Sequence, residues 1–198
     1  MLTDLISLQE LLKRNRSVRR FDETRKIDRS ILCELVSLVR FTASGRNAQP
    51  LRYHIVNGDE NCNAIFPLLA WAGYFKNWDG PEPGERPVAY LVQCLDTRIG
   101  GSNCLCDDGL QLEAITLGAT ICGLSGCIIK AFNPNAVSLA LGLPEYLIPR
   151  YVLALGFPKE QVVIEDMDGS YSADFKYYRT PDGVHHVPKR PLEELIVS

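Results

Sequence analysis

Val88 to Leu95 (VAYLVQCL) is a near-continuous apolar run, in which Val88, Ala89, Tyr90, Leu91 and Val92 leave no polar face. A strand of this kind must be covered on both sides, so the segment predicts a central strand sandwiched by helices. Tyr151 to Leu155, closed by Gly156, Phe157 and Pro158, predicts a second core strand, and Tyr53 to Val56 a shorter one before the turn residues Asn57, Gly58 and Asp59. Helical spacing fills much of the rest. Leu5, Leu8, Leu11 and Leu12 mark a first helix that feeds the basic residues Lys13, Arg14, Arg16, Arg19 and Arg20. Asp28 is placed to cap a second, with Ile31, Leu35, Leu38 and Val39 as its buried stripe. Further helices are predicted around Cys62 to Ala72, from Asp107 to Leu117 with the following glycines ending it, and from Val137 to Leu141. Lys76 to Pro87, with its prolines and glycines, reads as a loop; Glu165 to Pro188 is polar and turn-rich, and Leu192 to Val197 a terminal helical turn or strand. Helices with a few buried strands and no internal repeat predict an α+β sandwich formed by residues 1–198 as one domain.

Composition narrows the class of function. With 21 Lys plus Arg against 24 Asp plus Glu and a net charge of −3, no general attraction to nucleic acid or to an anionic membrane is expected. The first ten residues contain Asp4 and Glu10 and lack a basic segment followed by an apolar core, so the expected location is the cytoplasm. The uncharged stretch Ala114 to Ile129 is broken by threonines and glycines and falls short of the roughly 20 apolar residues of a membrane span. Seven cysteines, an odd number at irregular spacing, read as reduced and mostly buried thiols. Cys104, Cys106, Cys122 and Cys127, even with His185 and His186, match no standard zinc or iron–sulfur spacing, and no metal is expected.

Four segments carry candidate chemistry. Arg16, Ser17 and Arg19 follow a helix and offer guanidinium forks and a hydroxyl to a phosphate, although a basic run is also what a solvated face looks like. In SGRNAQP, Ser44, Asn47 and Gln49 supply short donors and acceptors, Gly45 permits close backbone approach and Pro50 breaks the helix; the segment suits either a polar ligand or an ordinary connection. The glycines between Gly118 and Gly126 match neither a dinucleotide fingerprint nor a phosphate loop followed by lysine, and read as a helix end with a tight turn. Lys189 and Arg190, between Pro188 and Pro191, form a second basic cluster.

Taken in order, these segments resemble the nitroreductase family. NRSVRRF (Asn15 to Phe21) is similar to the family's arginine-rich serine motif, and SGRNAQP to its serine-x-x-asparagine-x-glutamine-proline turn. LGATICGLSG (Leu117 to Gly126), LGLPEYLIPRYVLALGFP (Leu141 to Pro158) and KRPLEELI (Lys189 to Ile196) resemble its later signatures. Two departures stand out: Asn15 replaces the first arginine of many members, with Arg14 as a neighbouring substitute, and the Lys189–Arg190 pair is shifted relative to the commonest spacing.

The resemblance implies a three-layer α+β sandwich with a central mixed, mainly antiparallel sheet, and a homodimer with FMN at the subunit interface. It assigns Arg16, Ser17, Arg19, Gln49, Lys189 and Arg190 to FMN, with Ser44 and Asn47 approaching from the other subunit. Ser125 and Gly126 occupy the place from which the family presents a backbone amide to flavin N5. The implied activity is ping-pong hydride transfer from NADH or NADPH through FMN to a nitroaromatic, quinone or other small acceptor. The alternative is an FMN-binding protein for sensing or storage. No catalytic side chain is implied, because the flavin carries the chemistry. Trp71, Tyr74, Phe75 and Trp78 are either substrate-pocket or core residues.

Overall fold

The computed structural model describes residues 2–99, 105–168 and 174–197. Its centre is a four-stranded sheet made of β1 (Leu51–Asn57), β2 (Ala89–Asp96), β3 (Ser125–Ile129) and β4 (Leu147–Gly156), in the order β1-β2-β4-β3. All three pairings are antiparallel; Val56 stands opposite Tyr90, Leu91 opposite Leu153 and Gly126 opposite Leu155.

Alternation along β2 and β4 builds two cores. Tyr90, Val92, Val152 and Ala154 face one side, where they meet α3 (Asp59–Ile65) and α5 (Pro134–Leu141) through Cys62, Ile65 and Val137. Ala89, Leu91, Leu153 and Leu155 face the other, against α2 (Arg29–Ser37) and α4 (Leu105–Ile121) through Leu32, Leu35, Leu112 and Ile115. The result is the three-layer α+β sandwich that the apolar run of β2 requires.

Several boundaries differ from the sequence expectation for identifiable reasons. Asp28 does cap α2, its carboxylate accepting the amide of Ser30, but the residues turned inward are Leu32 and Leu35 while Ile31 is exposed. The helix after Gly58 stops at Ile65, since Pro67 sets a tight 3-10 turn over Phe66–Leu68. Gly118 does not end α4, which continues to Ile121; a Cβ at Gly118 would press on Leu38 and Leu35, so the glycine admits close crossing within the layer. Ser125 and Gly126 open a strand instead of completing a turn.

The polar stretch after Glu160 holds a second sheet, which alternation did not mark. Strands β5 (Val162–Asp166), β6 (Tyr178–Arg179) and β7 (His185–Lys189) run in the order β5-β7-β6, with β5 parallel and β6 antiparallel to β7. The named strand pairs of the central sheet are antiparallel, and a parallel bridge from Ser17 to Gly126 joins its edge, so that sheet is mainly antiparallel as expected. A helical turn, α6 (Leu192–Leu195), follows. At the other end, α1 (Leu2–Arg14) has no buried residue, and Leu2, Leu5, Ile6, Leu8 and Leu12 are exposed.

Candidate functional site

The NRSVRRF segment is held by backbone bonds at the edge of the central sheet. Ser17 bridges Gly126 in parallel sense, and the Val18 amide donates to the Gly126 carbonyl at 3.0 Å. The Asp22 amide donates to Phe157 O, and Phe21 is fully buried against Gly156, where any Cβ would meet its ring. Burying Val18 and Phe21 fixes the phase of the segment, so that Arg16, Ser17 and Arg19 reach a cleft of about 360 Å³.

That cleft also receives Gly126 and Ile128 from β3, Glu113 and Thr116 from α4, Tyr177, and His185, Val187 and Lys189 from β7. Residues predicted from opposite ends of the chain thus converge: Arg16, Ser17, Arg19, Gly126 and Lys189 line one space. Among the described residues, the Nε atoms of Arg16 and Arg19 are buried without a hydrogen-bond partner. Buried donors in a cationic wall suit an anion, which supplies the missing acceptors. Burial pulls the Arg16 pKa below its ordinary value, and the Glu113 carboxylate opposes that shift.

The remaining predicted residues lie elsewhere within this chain. Ser125 begins β3 beside the cleft but is not part of its lining. Arg190 donates to Glu194 at 2.6 Å and lines a separate groove with Phe175 and Leu195. Asn15 is turned onto α4, its amide donating to Thr116 Oγ1 at 2.9 Å and Glu113 Oε1 at 3.2 Å, and Arg14 points at the Thr120 carbonyl. Asn15 still lines the cleft and Arg14 does not.

Ser44, Asn47 and Gln49 belong to a second site-like feature, a turn in which Arg46, Asn47 and Gln49 all have positive φ. Non-glycine residues rarely accept that conformation, and the surrounding bonds show what maintains it. Ser44 Oγ donates to Asp107 Oδ2 at 2.6 Å, the Gly45 amide donates to Asp107 Oδ1 at 3.0 Å, and the Gln49 amide donates to Ser44 Oγ at 2.9 Å. Asp107, in the first turn of α4, is buried. The Asn47 and Gln49 side chains are exposed, and Gln49 Nε2 donates to Asn47 Oδ1 at 3.1 Å and to the Asn47 carbonyl at 3.2 Å.

Glu113, Tyr177, His185 and the anchoring Asp107 carried no readable signal, since each becomes local only through packing between distant segments. Of the aromatic residues near Trp71, Tyr74 and Phe75 pack against Tyr177 and Trp78 packs on Phe75, so these rings form the backing of the cleft and not its wall. Among the described residues no group of His, Cys, Asp and Glu is arranged to hold a metal ion; Cys104 lies outside them. No helix of the described residues is long and apolar enough to cross a membrane.

No family model matches the sequence. Among solved structures, the chain is similar to a nitroreductase family protein from Clostridium novyi NT, with 26% identity over 76% of this chain and 84% of that one and a TM-score of 0.63. A nitroreductase family protein from Streptococcus pneumoniae TIGR4 aligns over 96% of this chain and 99% of its own at 17% identity and a TM-score of 0.65. An FMN-dependent nitroreductase from Clostridium difficile R20291 aligns over 76% and 87%, at 16% identity and a TM-score of 0.62. The architecture is thus an α+β sandwich of the same shape as these proteins. In particular, this chain has the fold of the nitroreductase family.

Proposed function

We propose that this protein is an FMN-dependent oxidoreductase that takes hydride from NADH or NADPH and passes reducing equivalents to a small acceptor such as a quinone or nitroaromatic. The observation that carries this reading is the convergence of Arg16, Ser17, Arg19, Gly126 and Lys189 on one cleft, in a fold shared with an FMN-dependent nitroreductase. The residues fit the cofactor at its anionic end: three cations line the cleft, and two buried guanidinium Nε atoms lack, among the described residues, the acceptors that a phosphate has to offer.

When bound, FMN supplies two-electron chemistry that no side chain here performs. The protein's part is binding and orientation. Arg16 and Lys189 hold the phosphate and ribityl end, with Arg190 near enough in sequence to join them if its bond to Glu194 opens. Gly126 puts the β3 backbone on the cleft wall, from which the Ser125–Gly126 amides would face the bound flavin. A nicotinamide and then an acceptor would use the same side of the bound flavin in turn, which is ping-pong exchange.

A homodimer completes the site. Helix α1 exposes Leu5 and Leu8, and Ser44, Asn47 and Gln49 sit outside the cleft of their own chain, which suits delivery to the partner's cofactor. The protein is expected to act in the cytoplasm.

The test is an absorbance spectrum of purified protein, identification of the released chromophore, and anaerobic addition of NADH or NADPH. The expected result is FMN whose colour bleaches and then returns on adding a quinone or nitroarene. Bound FMN that neither nucleotide reduces would favour sensing or storage, and protein that binds no flavin would reject both readings.

A further inference from the structure

The middle strand of the second sheet brings His185 to the wall of the cleft, where it is 1% exposed. Its imidazole is wedged between two rings, 5.2 Å from Tyr177 and edge-on to Phe75 at 5.7 Å. Nε2 lies 3.3 Å from Arg19 Nη1. A guanidinium has no acceptor, so Nε2 must be the unprotonated nitrogen, and the ring is neutral with its hydrogen on Nδ1. Among the described residues Nδ1 has no partner.

The surrounding charges agree with that assignment. Arg19 faces the ring from the NRSVRRF segment, Arg179 from β6 and His186 from β7 itself; burial and then these three groups push the His185 pKa down to about 4. Glu160, before β5, is already engaged by Arg179 at 2.8 Å and by the Arg19 amide, and Lys189 stands further along the cleft. Arg19 in turn lies with Cζ 4.8 Å from the centre of the Tyr177 ring and beside the Cys127 thiol. The Tyr177 face does not direct an Nη–H along a single line and the Cys127 sulfur is only a weak acceptor, whereas the imidazole lone pair is a strong and directed one.

We propose that His185 is a positioning residue: as a neutral imidazole it accepts a hydrogen bond from Arg19 Nη1 and fixes the guanidinium on the cleft wall before a ligand arrives. A side chain already ordered loses less freedom on binding, so the effect appears in ligand affinity. This consequence rests on the proposed FMN site, while the His185–Arg19 geometry does not.

Two measurements on the full chain separate them. Long-range proton–nitrogen NMR at pH 6.5 is expected to show His185 neutral with Nδ1 protonated; a charged ring, or the Nε2-protonated tautomer, would overturn the proposal whether or not flavin binds. FMN affinity, read by quenching of flavin fluorescence, is expected to weaken about tenfold in His185→Phe, which keeps a ring but no acceptor. His185→Gln, which restores an acceptor, should recover affinity to within about threefold. In an Arg19→Met background His185→Phe should add nothing. Equal FMN affinity in wild type and His185→Phe, or the same loss with Arg19 already removed, would reject the positioning role. If wild-type protein binds no FMN, the oxidoreductase reading falls, and the NMR result alone decides the Arg19 contact.

Discussion

Gly126 shows how tightly single residues are constrained at the cleft. A Cβ there would lie 2.8 Å from the Ala154 carbonyl oxygen, and backbone cannot move aside as a side-chain end can. Gly126→Ala should therefore lower stability by about 1–3 kcal/mol, seen as an earlier urea midpoint at unchanged slope. Arg16 presents a different balance. It is half-buried, its Nη2 donates to the Leu12 carbonyl at 2.9 Å and, among the described residues, its Nε has no partner, so its unmet capacity is for a ligand. Arg16→Ala should weaken FMN binding by about 1.5–3 kcal/mol, the value of a hydrogen bond to a charged group. Equal retention of flavin by the variant in equilibrium dialysis would remove Arg16 from the site. Both positions were legible in the sequence, Arg16 from its place after a helix and Gly126 from the glycine segment. Glu113 and His185 were not, because nothing within a few residues of either distinguishes it from an ordinary surface glutamate or core histidine.

Elements are joined at the site by side chains that reach across them. The turn from Ser44 to Gln49 depends on Asp107 at the start of α4, which accepts both the Ser44 hydroxyl and the Gly45 amide. Three left-handed non-glycine residues persist in that turn because these bonds hold them. Asp107→Ala should speed amide exchange at Gly45 and Gln49 by at least about tenfold, from the loss of charge-assisted bonds. Protection at both amides that survives the substitution would show that the turn is stable without its anchor. Periodicity identified α1, α2, α4 and the two core strands, since each repeats one pattern over many residues. It missed β5, β6 and β7 because these strands are short, partly exposed and paired through His185, Arg179 and Glu165, so no apolar alternation marks them.

For the whole molecule, α1 poses the problem of a 13-residue helix with no buried side chain. Isolated helices of that length are marginal in water, and apolar residues such as Leu5 and Leu8 call for a partner surface. If the proposed dimer forms through α1, Leu5→Glu combined with Leu8→Glu should give a species of half the wild-type mass in sedimentation, with flavin lost in parallel; an unchanged mass would place the interface elsewhere or reject the dimer. Acid stability should carry the mark of His185. The folded ring takes its proton near pH 4 and the unfolded one near 6.5, so between those values the unfolded chain binds more protons and stability falls as pH drops. His185→Gln should flatten the urea midpoint across that window, and an unaltered slope would exclude His185 as its source. The amino-acid sequence by itself determined the layers, because a strand apolar on both faces has to be covered twice, and it marked the cationic and glycine segments through residue type. Only the tertiary structure decided which of these segments meet. Arg19 is far along the chain from Tyr177 and His185, and its contact with them depends on how the second sheet folds back onto the edge of the first, a consequence of packing that no local pattern encodes.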